Sequence, residues 1–105
     1  MKISDNLEIL DKSDAVVGSL QIKEQRSGAW CGIFVPDPAY SSFRPLFEEF
    51  ASIVNHQSFA HLDPIEEKIT ALELRGRVQG RVFPIFDLQI YDDGASVRTE
   101  PFRPA

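Results

Sequence analysis

The residues of this chain best suited to binding chemistry are three arginines set close together, Arg75, Arg77 and Arg81, with Gly76 and Gly80 between them. Guanidinium groups hold phosphates and carboxylates through paired hydrogen bonds, so the cluster is a candidate anion site. The segment does not match a P-loop, because the Lys-Ser/Thr ending and the following helix are missing. A solvated loop after a helix, where cations suit the negative end of the helix dipole, is the favoured interpretation.

A β-hairpin is predicted over Val16–Val35, and it carries the most prominent aromatic residues. Polar and apolar residues alternate over 16–23, a nearly continuous apolar run covers 29–35, and Arg26-Ser27-Gly28 supplies a turn between them. An apolar run of this kind is typical of a central strand.

The length of that turn decides whether Trp30 and Phe34 are exposed. With a two-residue turn at Ser27-Gly28, both rings lie on the outer face of the sheet, where Tyr91 extends them into a surface for a partner. With a three-residue loop, both rings join Leu20 in the core. Core packing is the favoured interpretation, and the partner surface is the alternative.

The other reactive side chains do not combine into a recognisable site. His56 and His61 with Asp63 offer too few ligands for zinc, which takes three or four. Cys31 lies within the apolar run, so a buried structural role is expected. Asp92-Asp93 falls at a predicted hairpin tip, where Asp serves turn geometry. The sequence therefore predicts no catalytic residue, no metal and no cofactor.

Two helices are predicted in the middle of the chain. Apolar residues over Phe43–Val54 recur at the spacing of one helix face, opposite glutamates. A second helix begins near Asp63, since Asp63-Pro64 provides a cap followed by a proline at the first helical position. Gly76 is expected to end that helix.

A second hairpin is predicted over Val82–Thr99. Its first strand runs continuously to Ile90, and Asp93-Gly94 is a two-residue turn signal. That turn would pair Ile90 with Val97.

These elements indicate one α+β domain over residues 1–105, with 1–6 and 102–105 frayed. We expect an antiparallel sheet of four to five strands with two helices packed on one face. The expected core consists of Val16, Leu20, Ile22, Phe47, Phe50, Val54, Ile69, Leu72, Phe86, Leu88, Ile90 and Val97.

Composition narrows the class of function. The net charge is −5, which disfavours binding to nucleic acid or to an anionic membrane. One cysteine allows no internal disulfide, and neither a signal peptide nor a membrane span is recognisable, so a cytoplasmic location is expected. The sequence favours a small interaction module without catalytic activity, acting by self-association or by binding another protein. An acidic inhibitor or immunity-type protein is one version. The alternative is a small-molecule anion-binding protein or enzyme that uses the three arginines.

Overall fold

A computed structural model describes residues 1–56, 62–91 and 94–100 of the chain. These residues form seven β-strands, two α-helices and a short 3-10 helix at Pro38–Ser42. The strands are β1 (Asn6–Leu10), β2 (Val16–Arg26), β3 (Ala29–Pro36), β4 (Arg75–Val78), β5 (Arg81–Pro84), β6 (Phe86–Ile90) and β7 (Ala95–Arg98). The helices are α1 (Arg44–Asn55) and α2 (Leu62–Ala71).

All seven strands join one antiparallel sheet in the order β5-β4-β1-β2-β3-β7-β6. The predicted antiparallel sheet with two helices is confirmed, but the prediction of four to five strands was too low. The segment interpreted as a solvated loop is instead the hairpin β4–β5. Its two-residue turn, Gln79 and Gly80, has positive φ angles of 51° and 80°, as the preferred hairpin turn requires.

The single strand predicted from Val82 to Ile90 is in fact two strands at opposite edges of the sheet. Only Ile85 separates the end of β5 from the start of β6. A flat sheet of seven strands would be roughly 29 Å across, a distance that one residue cannot span. The sheet therefore curls until its edges approach, and Ile85, only 8% exposed, lies where they meet.

The turn between β2 and β3 combines features of both predicted alternatives. It has two residues, Ser27 and Gly28, at φ angles of 52° and 83°. Lys23, however, has no partner on β3, because the register shifts between Ile22 and Glu24. This β-bulge inserts one residue and reverses the facing of the strand beyond it.

The register of the second hairpin differs from the predicted one by two residues. Ile90 pairs with Ala95 instead of Val97, and the Tyr91 N–H donates to the Gly94 carbonyl at 2.7 Å. A shift of two leaves Gln89 and Ile90 on their predicted faces, because strand residues alternate with period two. The register shifts once more between Phe86 and Gln89, which places Phe86 opposite Arg98. Asp93 of the predicted Asp93-Gly94 turn lies outside the described residues, as does Asp92.

The core fills the inner, concave face of the sheet. The helices contribute to it from that side: α1 packs against β6, and α2 packs against α1. Seven of the expected core residues are buried, and Val16, Val54, Ile69, Leu72 and Phe86 are half-buried. The core also holds residues that were not expected, namely Leu7, Ile9, Leu10, Val17, Tyr40, Ile65, Leu74, Ile85 and Ala95.

Two predicted boundaries also change. Glu73, with φ of 51°, follows α2 in the left-handed conformation expected of Gly76. Gly76 lies in β4 instead, where an added Cβ would be 2.7 Å from the Leu7 side chain. At the N-terminus, Ser4 donates to the Ile22 carbonyl and Ile22 donates to the Asp5 carbonyl, both at 2.9 Å. These bonds attach residues 4 and 5 to the sheet, while 102–105 lie outside the described part.

Candidate functional site

The three arginines of the predicted anion site do not converge. Arg75 donates to the Asp11 carbonyl at 2.7 Å and forms an ion pair with Asp14. Arg77 lies opposite Glu8 on β1 and donates to its carboxylate, with Nε 2.9 Å from Oε1. Both guanidinium groups are therefore engaged with acids of the same chain.

The Glu8–Arg77 pair has a clear electrostatic signature. The hydrogen bond from Arg77 lowers the pKa of Glu8, and the carboxylate in turn raises the pKa of Arg77. Each partner thus favours the charged form of the other. Since the two side chains join β1 to β4 on the outer face, their role is to hold neighbouring strands together.

Arg81 has a different environment. It is exposed, and nowhere in residues 1–56, 62–91 and 94–100 does it form an ion pair or a side-chain hydrogen bond. It lies opposite Val78 beside the Gln79-Gly80 turn and lines a cavity of about 480 Å³ together with Trp30. The fold thus brings together one residue from each of the two predicted sites.

Trp30 and Phe34 occupy the inner side of β3, where both are half-buried against the core. The bulge at Lys23 places Phe34 opposite Leu20, and the Phe34 ring meets Tyr40 edge-on with 5.1 Å between centroids. Burial raises the pKa of the Tyr40 hydroxyl. Trp30 and Phe34 therefore pack against the core, as in the favoured interpretation. That interpretation assumed a three-residue loop, whereas the turn has two residues and the bulge at Lys23 has the same effect on the facing of β3.

The exposed apolar residues of β3 are the neighbours of those aromatics. Ile33 is 45% exposed and Val35 is 55% exposed, and both point to the outer face. Cys31, expected to be buried, is half-buried on that same face. The alternation along β3 is enough to group Cys31, Ile33 and Val35 on one face. It does not say whether that face or the face of Trp30 and Phe34 is the exposed one.

Tyr91 extends this outer surface. It is 46% exposed, donates to the Gln89 side-chain carbonyl, and shares a shallow depression with Cys31. We call the surface formed by Cys31, Ile33, Val35 and Tyr91 the β3 patch. Its neighbours across the sheet are polar: Ser19 opposite Val35, Gln21 opposite Ile33, and Glu24 and Ser96 on the two sides of Cys31.

The described residues include no cluster of three or more His, Cys, Asp or Glu side chains that could hold a metal ion. His56 follows α1 and its Nδ1 lies 2.8 Å from the Ser52 carbonyl, a local contact at the helix end. His61, the other histidine of the weak metal candidate, lies outside the described part. Neither helix within that part is long and apolar enough to cross a membrane.

Comparison with known proteins identifies no relative of this chain. No family model matches the sequence, and no curated protein and no solved structure is significantly similar to it.

Proposed function

We propose that this protein is a small, non-catalytic interaction module that binds another protein through the β3 patch. The observation that carries this proposal is the side-by-side exposure of Ile33 and Val35 on the outer face of the sheet. Single exposed apolar residues are ordinary on protein surfaces. Alternate residues of one strand, however, share a face and form continuous apolar surface, which is typical of interaction sites.

The position of β3 defines how a partner would dock. β2 pairs with β3 from Ala29 to Pro36, whereas on the other side β7 pairs with Trp30, Cys31 and Gly32. Since Ile33 and Val35 lie on the outer face, recognition would use their side chains, with the partner lying against that face of the sheet. Tyr91 suits the edge of such a contact, because tyrosine combines a large apolar ring with a polar tip.

Charge favours a basic partner over a second copy of this chain. The sequence contains 16 acidic and 11 basic residues, for a net charge of −5. Two copies brought together would repel each other, whereas a basic protein would be attracted and steered into contact. The concrete version of this proposal is an acidic inhibitor or immunity-type protein that neutralises a basic protein in the cytoplasm.

A double variant of the patch tests this proposal. Ile33→Asp with Val35→Asp places two charges at its centre, and Val82→Asp is the matched control. Val82 is 50% exposed on the same outer face, but it lies on β5, away from β3. Circular dichroism first establishes that both variants fold.

The experiment is affinity capture from host lysate, with bound proteins identified by mass spectrometry and retested as purified pairs by calorimetry. We expect wild type and Val82→Asp to bind the same basic protein in stoichiometric amount, more weakly at high salt, and the double variant to lose it. Retention by the double variant, or the absence of any basic partner of the wild type, contradicts the proposal. Sedimentation of a wild-type dimer that the double variant dissociates also contradicts it, since the partner would then be a second copy.

The alternative function, an anion site built from all three arginines, has weaker support. Arg75 and Arg77 would have to leave Asp14 and Glu8 to reach a ligand. Of the three arginines, Arg81 is the one that no described residue holds in this way.

A further inference from the structure

One end of the curled sheet carries a cavity of about 480 Å³ that the helices do not line. Its walls come from the N-terminal segment, from β3, β4 and β5, and from Thr99 after β7. A cavity of this size is within the range that small molecules occupy in proteins. It lies on the inner side of the sheet, so it is separate from the β3 patch.

Strand register places two aromatic rings in this cavity. Phe83 lies opposite Gly76 on the inner face, where its ring is within 3.0 Å of the position that a Gly76 Cβ would take. Trp30 reaches the inner face from β3 and pairs with Val97 of β7. Both rings are half-buried and packed against the core, which leaves part of each available to a ligand.

The cationic groups of the cavity are Lys2 and Arg81. Among the described residues, neither the Lys2 ammonium nor the Arg81 guanidinium forms an ion pair. Asp5, the acid that lines the same cavity, accepts a hydrogen bond from the Lys2 backbone N–H at 2.9 Å. The side-chain cations of this cavity thus exceed its acids by two to one.

The cavity of about 550 Å³ beside α2 differs on this point. There Lys12 lies 3.6 Å from Glu73, and Arg75 is paired with Asp14. Its cations are compensated within the chain, so it offers no comparable attraction for an anion.

We propose that the cavity at the end of the sheet binds a small planar aromatic anion. The ring would lie against Trp30 and Phe83, and the carboxylate would accept hydrogen bonds from the Arg81 guanidinium, with Lys2 adding positive charge. Aromatic faces favour flat apolar rings, and a guanidinium matches the two oxygens of a carboxylate.

The test uses 2-naphthoate as the probe and 2-naphthylmethanol as its uncharged analogue. Trp30 is the only tryptophan in the chain, so its indole N–H gives a single resonance that reports directly on the cavity. We expect 2-naphthoate to shift this resonance saturably, and 2-naphthylmethanol to bind about tenfold more weakly. Arg81→Gln is expected to weaken 2-naphthoate binding by about the same factor.

Lys68→Gln is the matched control, because it removes the same charge from an exposed position on α2 outside the cavity. We expect it to bind 2-naphthoate like the wild type. Equal binding of the two naphthyl compounds, equal weakening by both variants, or no shift of the Trp30 resonance overturns the proposal. Since Arg81 is exposed, its replacement leaves the core intact, and an unchanged spectrum elsewhere confirms that the variant is folded.

Discussion

Glu8 and Arg77 face each other across β1 and β4, with Arg77 Nε 2.9 Å from Glu8 Oε1. They are 69 positions apart in the chain, and their contact uses one of the arginines that the sequence offers as an anion site. The same hydrogen bond lowers the pKa of Glu8 from its ordinary value of 4.5. The pH dependence of the free energy of unfolding in acid therefore tests whether Glu8 and Arg77 lie opposite each other in β1 and β4.

The first prediction concerns Glu8→Gln. A carboxyl group whose pKa is lower in the folded than in the unfolded chain stabilises the fold above its unfolded pKa. That contribution is lost as the pH falls through the folded pKa. Urea unfolding from about pH 5 down to about pH 3 should therefore show a shallower loss of stability for Glu8→Gln than for wild type.

Glu49→Gln is the control for that experiment, since Glu49 is exposed on α1 and forms no ion pair within the described residues. Its pH dependence should follow the wild type. Parallel curves for wild type and Glu8→Gln would contradict the pairing.

The second prediction separates the two faces of β3. Phe34→Ala should lower the free energy of unfolding by about 2–3 kcal/mol, less than for a fully buried ring because Phe34 is half-buried. Ile33→Thr keeps the β-branch on the outer face and should change it by less than about 0.5 kcal/mol. Urea denaturation followed by circular dichroism measures both. Similar costs for the two variants would mean that the bulge at Lys23 does not set the facing of β3.

Local periodicity accounts for the parts of the fold that sequence could predict. The helical spacing over Phe43–Val54 corresponds to α1 at Arg44–Asn55, and the predicted hairpin over Val16–Val35 corresponds to β2 and β3. Each of these patterns is complete within one segment, so no distant residue is needed to interpret it.

The missed features depend on distant contacts. The bulge at Lys23 is not marked by a glycine or any other characteristic residue type. The separation of β5 from β6 at Ile85 can be recognised only from the order of the strands in the curled sheet. β4, with the sequence Arg-Gly-Arg-Val, was missed because it shows no clear alternation, and most of β5 was predicted as the beginning of the strand that contains β6. The candidate sites also differ from the predicted ones because of distant contacts. Arg77 pairs with Glu8 of β1, and the exposed face of β3 is set by Lys23, the β2 residue without a partner on β3.

The third prediction tests close contact between β2 and β3 at Gly32. A Cβ at this position would lie 1.8 Å from the Gln21 carbonyl oxygen, which is backbone and cannot turn away. Gly32→Ala should therefore destabilise the protein by at least about 2 kcal/mol. At Gly80 a Cβ would meet nothing within 4 Å, and asparagine tolerates its φ of 80°, so Gly80→Asn should cost about 1 kcal/mol or less. Thermal unfolding of the two variants provides the comparison, and equal costs would exclude this strand contact.

The fourth prediction is a stabilising substitution at the end of α2. Glu73 adopts φ of 51°, a conformation that costs an ordinary residue about 1 kcal/mol and glycine almost nothing. Its ion pair with Lys12, at 3.6 Å, joins two exposed side chains and contributes little. Glu73→Gly should therefore raise the free energy of unfolding by about 0.5 kcal/mol, after the greater freedom of glycine in the unfolded chain is subtracted. Glu73→Gln removes the ion pair but keeps the side chain, and it should leave stability almost unchanged. If urea denaturation shows both variants equally destabilised, the ion pair matters more than the backbone, and Glu73 does not adopt the left-handed conformation after α2.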